Sequence, residues 1–293
     1  MSSIGVEGLT VRYGKRLALD NVSFSVPEGA VYALLGRNGA GKSSLIRCLL
    51  GEQRPDSGRA LLLGRDAWSE RAAILTEVGV VPEEPDMPPA STAREISRFC
   101  SRLYPRWDAT GVEARLERFG VPEDVPVGRL SKGQKGQVAL ALALASSPRL
   151  LVLDDPTLGL DALARKAIFE ELIGELADRG TTVFLTTHDL AGAERIADRV
   201  AILKSGRIVL DEEMEALKVR FRRISFPRGR EREIEALAPV AVAALGWGVE
   251  AVVSNWDEER FSRSAPGSPG EDAEVSALTL EEIFIAVAGE ERR

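Results

Sequence analysis

The sequence contains little cysteine and histidine and has no long apolar run. Its 293 residues include two cysteines, Cys48 and Cys100, and a single histidine, His188. Two cysteines without CxxC spacing favour neither a disulfide framework nor a zinc site. Both are therefore expected to be small core residues of a protein in a reducing compartment.

A membrane span needs about 20 consecutive apolar residues, and the chain offers none. The longest candidates are Val138–Ala145, which stops at Ser146, and Val240–Val249, which two glycines interrupt. The first residues lack a basic segment followed by an apolar run, so no signal peptide is expected. Any role at a membrane is expected to depend on a partner protein.

Positive charge is also scarce relative to negative charge. The net charge is −7, which argues against non-specific binding to nucleic acid and predicts no nucleic-acid partner. Apolar residues make up 44% and charged residues 28%, as in ordinary soluble globular proteins. The length suits one large domain plus a smaller one.

Short apolar runs alternate with helical patterns through the first 200 residues. Val31–Leu35, Leu150–Leu153 and Thr182–Thr186 are typical of fully buried strands. The helical patterns that follow them are Lys42–Leu50, Ala162–Asp178 and Leu190–Ala197. This alternation predicts an α/β fold with a parallel sheet covered by helices.

Two other regions complete this predicted core. Val6–Tyr13 and Asn21–Val26 alternate as antiparallel strands do, and Ala60–Leu63 and Val78–Val81 could pair in that region. Residues 88–128 are polar and helical, with Pro and Gly punctuation. They predict a helical subdomain inserted into the core, with bounds of about 86–146.

A change in composition after residue 210 predicts a second, smaller unit. We expect one domain over residues 1–218 and a small C-terminal α+β domain over residues 219–293. The latter is expected to close with a helix at Thr279–Ala288. Residues 261–272 are rich in Ser, Pro and Gly and predict a mobile loop.

Residues 36–43 read GRNGAGKS and match the phosphate-binding pattern GxxxxGK[ST] between a strand and a helix. The glycines let backbone N–H groups turn toward phosphate oxygens, and the helix N-terminus adds partial positive charge. Lys42 is expected to contact the β- and γ-phosphates, and the Ser43 hydroxyl to bind Mg²⁺. The predicted nucleotide contacts of this phosphate loop are Gly36, Asn38, Gly39, Ala40, Gly41, Lys42, Ser43 and Ser44.

A second buried strand ends in an acid. Leu150–Leu153 leads into Asp154 at the carboxyl end of the sheet, which is where ligands bind in open α/β sheets. Asp154 is predicted to hold Mg²⁺, directly or from the second shell. Together with the phosphate loop, it predicts a protein that hydrolyses a Mg²⁺-bound nucleoside triphosphate.

Residues 130–134 read LSKGQ and resemble the LSGGQ signature of ABC ATPases, with Lys132 where glycine is usual. The motif lies between the two phosphate motifs and precedes a predicted helix from about Gly133 to Ser146. The resemblance spans roughly Ile4–Leu210 and implies a head-to-tail dimer. In that dimer, one subunit caps the γ-phosphate held by the other through Ser131, Lys132, Gly133 and Gln134.

Three further positions follow the order of motifs in that family. Tyr13 resembles the aromatic residue that stacks on adenine, although it could equally pack on its strand neighbours. Asp161 lies in a loop resembling the one that contacts the partner subunit, and it also suits the N-cap of the next helix. His188 follows a buried strand where the family has a histidine that senses the γ-phosphate and orients the attacking water.

Two positions depart from the family pattern. Asp155 stands where Glu normally polarises the hydrolytic water; its acidity is similar, but it is one methylene shorter, which predicts slow hydrolysis. Glu83 stands where Gln normally contacts Mg²⁺ and water, with Glu84 as the alternative occupant. A Glu can still bind Mg²⁺, but its charge is expected to weaken ATP binding. Both changes leave open a degenerate half of a heterodimer beside the favoured homodimer.

Absent features favour transport among the roles of ABC ATPases. The chain has no long coiled coil as in chromosome-maintenance relatives, no second cassette as in translation-factor relatives, and no cysteine cluster as in DNA-repair relatives. The prediction is the ATP-hydrolysing subunit of an ABC transporter, with ATP and Mg²⁺ as cofactors. Its expected partner is an integral membrane permease, and its expected location is the inner face of the cell membrane. A soluble regulatory ATPase is the alternative.

Two segments bear on the partner and on the direction of transport. The region from Pro85 to about Arg118 is where a permease would dock; Tyr104 and Trp107 either offer exposed aromatics there or pack the subdomain's own core. Leu278–Phe284 resembles the ending of ATPase subunits from bacterial exporters with separate permease chains. The apolar residues of that tail, Ile283, Phe284 and Val287, could instead simply pack the small domain.

Overall fold

A computed structural model describes residues 2–104, 106–227, 235, 237–257 and 273–289, apart from the side chains of residues 176 and 177. The mobile loop predicted for residues 261–272 lies outside the described residues. The strands in chain order are β1 Ser2–Tyr13, β2 Arg16–Pro27, β3 Val31–Leu35, β4 Ser57–Leu62, β5 Arg65–Asp66, β6 Val78–Val81, β7 Leu150–Asp154, β8 Thr182–Thr186, β9 Arg199–Lys204, β10 Arg207–Glu213, β11 Arg222–Pro227, β12 Ala241–Ala244, β13 Gly248–Val253 and β14 Glu274–Ala277. The helices are α1 Lys42–Leu49, α2 Arg71–Ile74, α3 Ala93–Cys100, α4 Ala109–Phe119, a 3₁₀ turn Val127–Arg129, α5 Lys132–Ala145, α6 Ala162–Arg179, α7 Leu190–Ile196, α8 Met214–Arg220 and α9 Leu280–Ala288.

The central sheet has the order β10-β9-β3-β8-β7-β6. All of its pairings are parallel except the β9–β10 hairpin. β3 and β8 are buried along their whole length, because their continuous apolar runs are covered on both faces. The predicted parallel core is therefore confirmed.

The N-terminal antiparallel sheet has the order β2-β1-β4-β5, which confirms the expectation for Val6–Tyr13, Asn21–Val26 and Ala60–Leu63. The expectation that Val78–Val81 could pair in that region is wrong. This run is β6, and it extends the central sheet by pairing in parallel with β7, Val78 opposite Leu150. Its apolar residues do not alternate with polar ones, as suits a strand of the parallel sheet.

Helices α3, α4 and α5 enclose a small core of their own. Trp107 packs against this core, donates its indole N–H to Ser97 Oγ at 3.1 Å, and lies 5.6 Å from the Tyr104 ring. Both aromatics are half-buried. Trp107 thus packs the subdomain's own core as one alternative expected, whereas Tyr104 contacts the Trp107 ring and neither side chain is fully exposed.

A buried ionic cluster joins α4 to α6. Arg115 Nε donates to Glu171 Oε1 at 2.7 Å, and Arg115 Nη2 lies 3.4 Å from Glu175 Oε2. Glu171 also accepts from the exposed guanidinium of Arg118 at 2.7 Å. The side chains of Arg115, Glu171 and Glu175 are at most 9% exposed, so helices α4 and α6 are held together by charges withdrawn from water.

The C-terminal segment forms a sheet of order β12-β13-β11-β14 with its own small core. Helix α9 belongs to a different core. Ile283 is fully buried in the cluster that contains β9 and α7 residues, and Phe284 and Val287 pack on the same cluster. The expectation that these three residues simply pack the small domain is wrong, because α9 lies against the central core.

Candidate functional site

The phosphate loop connects β3 to α1, and glycine is required at two of its bends. Gly39 and Gly41 have φ of 79° and 117°, a backbone region that side chains disfavour. A Cβ on Gly41 would also lie 2.5 Å from the Ala18 carbonyl oxygen. The loop therefore folds tightly against β2 and leads directly into the N-terminus of α1, which begins at Lys42.

The loop forms one wall of a cleft of about 400 Å³. The cleft is lined by Tyr13, Arg16, Ala18, Arg37, Asn38, Gly39, Gly41, Lys42, Ser43, Ser44, Glu83, Asp154, Asp155 and His188. Most of the predicted nucleotide contacts are on this wall, whereas Gly36 and Ala40 are buried within the loop. Tyr13, at the end of β1, is 46% exposed, and its hydroxyl bonds Gln53 Oε1 at 2.5 Å.

Two arginines of the cleft were not anticipated from the sequence. Arg16 donates to the Gly39 carbonyl oxygen at 3.2 Å, and Arg37 occupies a variable position of the phosphate motif. The available signal for Arg16 was its place at the start of β2, just after the turn that follows Tyr13. These cations add positive charge where a polyphosphate would lie.

Lys42 lies between the loop and the acidic edge of the sheet. Its ammonium donates to the Gly36 carbonyl oxygen at 2.6 Å. Burial lowers the pKa of Lys42, and the neighbouring carboxylates of Asp155, Asp154 and Glu83 act in the opposite direction. The amine thus lies among three acids, at the position predicted to contact phosphates.

Asp154 ends β7 and Asp155 follows it, beside Thr186 at the end of β8. The Thr186 hydroxyl donates to Asp154 Oδ1 at 2.6 Å and so fixes the orientation of that carboxylate. The backbone N–H of Asp155 donates to the Thr186 carbonyl oxygen at 3.0 Å. Asp155 has a φ of 48°, a left-handed conformation, and is only 5% exposed. The two adjacent acids are therefore held by the same threonine.

The structure brings His188 against Asp155. The imidazole Nε2 lies 3.4 Å from Asp155 Oδ2, and the His188 backbone N–H lies 3.5 Å from Asp155 Oδ1. Burial raises the pKa of the Asp155 carboxyl; His188 opposes this rise, Glu83 adds to it and Lys42 lowers it. The acid predicted to act on water and the histidine predicted to sense phosphate thus form one contacting pair.

The two candidate residues after Pro82 point to different places. Glu83 lines the cleft and lies near enough to affect the pKa of Lys42. The Glu84 side chain is 82% exposed and lies 3.7 Å from the Lys132 ammonium. In this structure Glu83 is the one of the two that faces the predicted Mg²⁺ position.

The signature residues lie outside the cleft of their own chain as the structure describes it. Ser131 caps α5 by accepting from the Gln134 backbone N–H at 3.1 Å, and the Gln134 side chain accepts from the Ser131 backbone N–H at 3.0 Å. A Cβ on Gly133 would lie 2.7 Å from Leu160 Cδ2, so glycine lets the loop after Asp155 approach α5. The side chain of Lys132 is 45% exposed.

Asp161 also lies outside the cleft lining. Its carboxylate accepts from the Ala164 backbone N–H at 2.8 Å and so caps the first turn of α6. The N-cap reading of this residue is confirmed. Contact with a second subunit stays a prediction.

An apolar groove of about 380 Å³ lies between the central sheet and the helical region. Pro85, Met87, Cys100, Tyr104 and Trp107 contribute to its walls. It falls where the sequence predicted that a permease would dock.

Cys48 is a buried residue of the core. Burial raises the pKa of its thiol to about 11, so this cysteine is unreactive.

Comparison with known proteins shows the family to which the chain is similar. The sequence model described as "ABC transporter" matches residues 19–158. The Nod factor export ATP-binding protein I of Bradyrhizobium diazoefficiens is 40% identical over 230 residues, covering 74% of this chain and 73% of that protein. The protein of the same name from Rhizobium sp. (strain N33) is 33% identical over 308 residues and covers 99% of both chains.

Solved structures show the same relationship. An ATP-binding subunit of an ABC transporter is 29% identical, with a TM-score of 0.68 over 74% of this chain and 92% of that one. CbiO1 from Clostridium perfringens, part of the ABC transporter complex CbiONQ, is 29% identical, with a TM-score of 0.63 over 73% and 89%. The chain belongs to the ATP-binding subunits of ABC transporters, a family of ATPases.

Among the helices within the described ranges, none combines the length and apolar character that crossing a bilayer requires.

Proposed function

We propose that this chain hydrolyses Mg²⁺-bound ATP and thereby drives export through a separate membrane-spanning subunit. The observation that carries the proposal is the meeting of the phosphate loop, three carboxylates and His188 around one cleft. Relatives whose names specify export, one of them aligned over 99% of the chain, support the direction. We place the protein at the inner face of the cell membrane, held there by its partner.

The donor groups of the cleft fit Mg²⁺. Ser43, Asp154 and Glu83 offer hydroxyl and carboxylate oxygens, the ligands that this hard cation prefers. The bond from Thr186 orients Asp154 toward the cleft edge. Bound Mg²⁺ would neutralise charge on the phosphates, and Lys42 would add a further positive charge from the phosphate loop.

Asp155 and His188 are proposed to act on the attacking water. The carboxylate of Asp155 is positioned by its backbone bond to Thr186 and by contact with the imidazole, so it can accept a hydrogen bond from water. Because Asp is one methylene shorter than Glu, the water is held farther from its best position. A misplacement of about 1 Å can cost on the order of 10²-fold in rate, so we propose slow hydrolysis.

A second subunit is proposed to complete the site. A bacterial ABC transporter cassette, MJ0796, is described as dimeric and is 25% identical to this chain, with a TM-score of 0.66 over 72% of it and 98% of that chain. The capped N-terminus of α5 carries Ser131 and Gln134 away from the cleft of its own chain, which leaves them available to a partner's nucleotide. Asp161 is proposed to lie at the same interface.

The alternative is a degenerate half of a heterodimer, which the short acid Asp155 favours. Steady-state ATPase activity of the purified protein, with Mg²⁺ and with EDTA, separates the two. Our proposal expects low but Mg²⁺-dependent turnover, a rise of about 10- to 100-fold in Asp155→Glu, and loss in Asp155→Asn and His188→Ala. No turnover in the wild type together with full turnover in Asp155→Glu would instead support the degenerate half.

The same assay distinguishes the two acids after Pro82. Glu83→Gln removes a negative charge from the cleft and is expected to lower the KM for ATP. Glu84→Gln makes the same chemical change outside the cleft and is the matched control. Equal effects of the two substitutions would contradict the assignment of Glu83.

Affinity purification from detergent-solubilised membranes tests the partner. Co-purification of one polytopic membrane protein supports a transporter with a homodimeric motor. Recovery of a second ATPase subunit carrying Glu at the catalytic position supports the heterodimer. Recovery from the soluble fraction alone, even with the site locked by Asp155→Asn and ATP, would favour a soluble regulatory ATPase.

A further inference from the structure

Helix α9 near the end of the chain is fastened at both ends to elements of the central core. Its own N-terminus is closed by a capping box of Thr279 and Glu282. Leu280, Ile283 and Ala288 are buried in the cluster shared with α7 and β9. The helix therefore packs on two elements that adjoin the nucleotide cleft, because α7 follows His188 and β9 pairs with β3, the strand that leads into the phosphate loop.

The first end of α9 is held by α7. Glu194 on α7 accepts from the Leu280 backbone N–H at 2.9 Å, and its carboxylate also pairs with Lys218 of α8. An acid at a helix N-terminus satisfies a free N–H and complements the helix dipole. Asp189, the N-cap of α7, directly follows His188, so α7 connects α9 to the loop that carries the histidine.

The other end of α9 is held by β9. The Lys204 ammonium donates to the carbonyl oxygens of Val287 at 3.2 Å and Gly289 at 2.8 Å. A lysine there satisfies carbonyls that have no partner within the helix and complements the negative end of the dipole. Lys204 is part-buried, so this contact is shielded from water.

The end of β9 also contacts the backbone of the phosphate loop. Gly206, two residues after Lys204, donates its N–H to the Ala40 carbonyl oxygen at 3.0 Å. A Cβ on Gly36 would lie 2.8 Å from the Leu203 carbonyl oxygen, so β9 and the loop are in close backbone contact. Lys204 therefore connects the C-terminus of α9 to the turn after β9, which bonds the phosphate loop through Gly206.

We propose that Glu194 and Lys204 are positioning residues, which use α9 as a brace to hold the His188 loop and the phosphate loop in their ATP-binding arrangement. Neither side chain lines the cleft, so they act through α9. Docking of α9 and binding of ATP are then linked, and each must strengthen the other by the same factor. A factor of about ten lies within the usual range for such coupling.

The test measures ATP affinity by calorimetry and hydrogen exchange of the α9 amides in the full-length protein. Lys204→Met and Glu194→Ala are expected to raise the Kd for ATP about tenfold. Glu194→Gln keeps an oxygen that can accept from Leu280 and is expected to restore near wild-type affinity. Arg223→Met is the matched control, because it removes a pair between α9 and β11 that does not lead to the cleft.

Wild-type protein supplies a measurement that depends on no variant. ATP is expected to slow exchange of the α9 amides by at least the factor by which Lys204→Met weakens ATP binding, because the variant removes only one of the two contacts that dock the helix. Unchanged α9 exchange on addition of ATP would overturn the proposal. So would an unchanged Kd in Lys204→Met and Glu194→Ala while their α9 amides exchange faster, because the two contacts would then only stabilise the fold. Both readouts report binding, so they are independent of whether hydrolysis or transport is as proposed.

Discussion

Replacing Arg115 with methionine is expected to destabilise the protein strongly. The substitution keeps most of the side-chain length but removes the cation that serves two buried carboxylates, Glu171 at 2.7 Å and Glu175 at 3.4 Å. Breaking a buried pair by removing one partner costs about 3–5 kcal/mol. Folded proteins have only about 5–15 kcal/mol of stability in total, so the loss should be conspicuous in urea unfolding.

The matched control is Arg118→Met on the same helix. Arg118 contacts Glu171 at the same distance of 2.7 Å, but its side chain is 63% exposed. The guanidinium that is removed is already solvated, and Glu171 keeps its buried contact with Arg115, so this variant should lose far less stability than Arg115→Met. The comparison separates the effect of burial from that of the ion-pair distance.

The loss of unfolding free energy caused by Arg115→Met is also expected to depend on pH. Burial raises the pKa of Glu175, while Arg179 and Arg115 oppose that rise. Without Arg115 the folded-state pKa of this carboxyl rises further above its unfolded value. The loss of unfolding free energy in Arg115→Met is therefore complete above the pKa of Glu175 in the folded variant. It becomes smaller as the pH falls through that pKa, because the buried acid then takes up a proton. A cost below 1 kcal/mol at pH 8, or a deficit that grows toward pH 5, would refute this account.

Four further substitutions, one of them a control, test packing, capping and the signature by urea unfolding. Gly192→Ala places a Cβ 2.2 Å from the Phe169 ring and should cost about 1–3 kcal/mol, whereas Gly174→Ala, with open space around it, should stabilise by about 0.5–1 kcal/mol; equal effects would contradict the contact. Asp161→Ala should cost about 1 kcal/mol through loss of the α6 cap, and no change would argue against that role. Lys132→Ala should change stability by less than about 1 kcal/mol, because its pair is exposed; a larger loss would show a structural role.

The sequence predicted the parallel core because its strands are continuous apolar runs. It also predicted Asp154, because a carboxylate at the end of such a strand reaches the ligand edge of the sheet. The prediction for Val78–Val81 was wrong because a short apolar run does not indicate which strand it pairs with. Only the strand order, β8-β7-β6, decides that Val78 pairs with Leu150.

Contacts between distant segments were beyond what the sequence could predict. The approach of His188 to Asp155 depends on β7 and β8 being neighbours. The docking of α9 on the core depends on Glu194 and Lys204, two ordinary charged residues whose partners are backbone groups far along the chain. Helical periodicity showed that α9 has an apolar face, but not which surface covers it.

The left-handed backbone at Asp155 bears on the slow hydrolysis proposed above. Asp occurs in this conformation several-fold more often than most other residues. Exchanging it for Glu therefore alters local backbone preference as well as side-chain reach. Under the function proposed above, slow hydrolysis would keep the nucleotide in the cassette longer, and the membrane subunit would remain longer in its ATP-bound state. In that case the geometry of one residue in the cassette, rather than passage of cargo through the membrane, sets how long each transport cycle lasts.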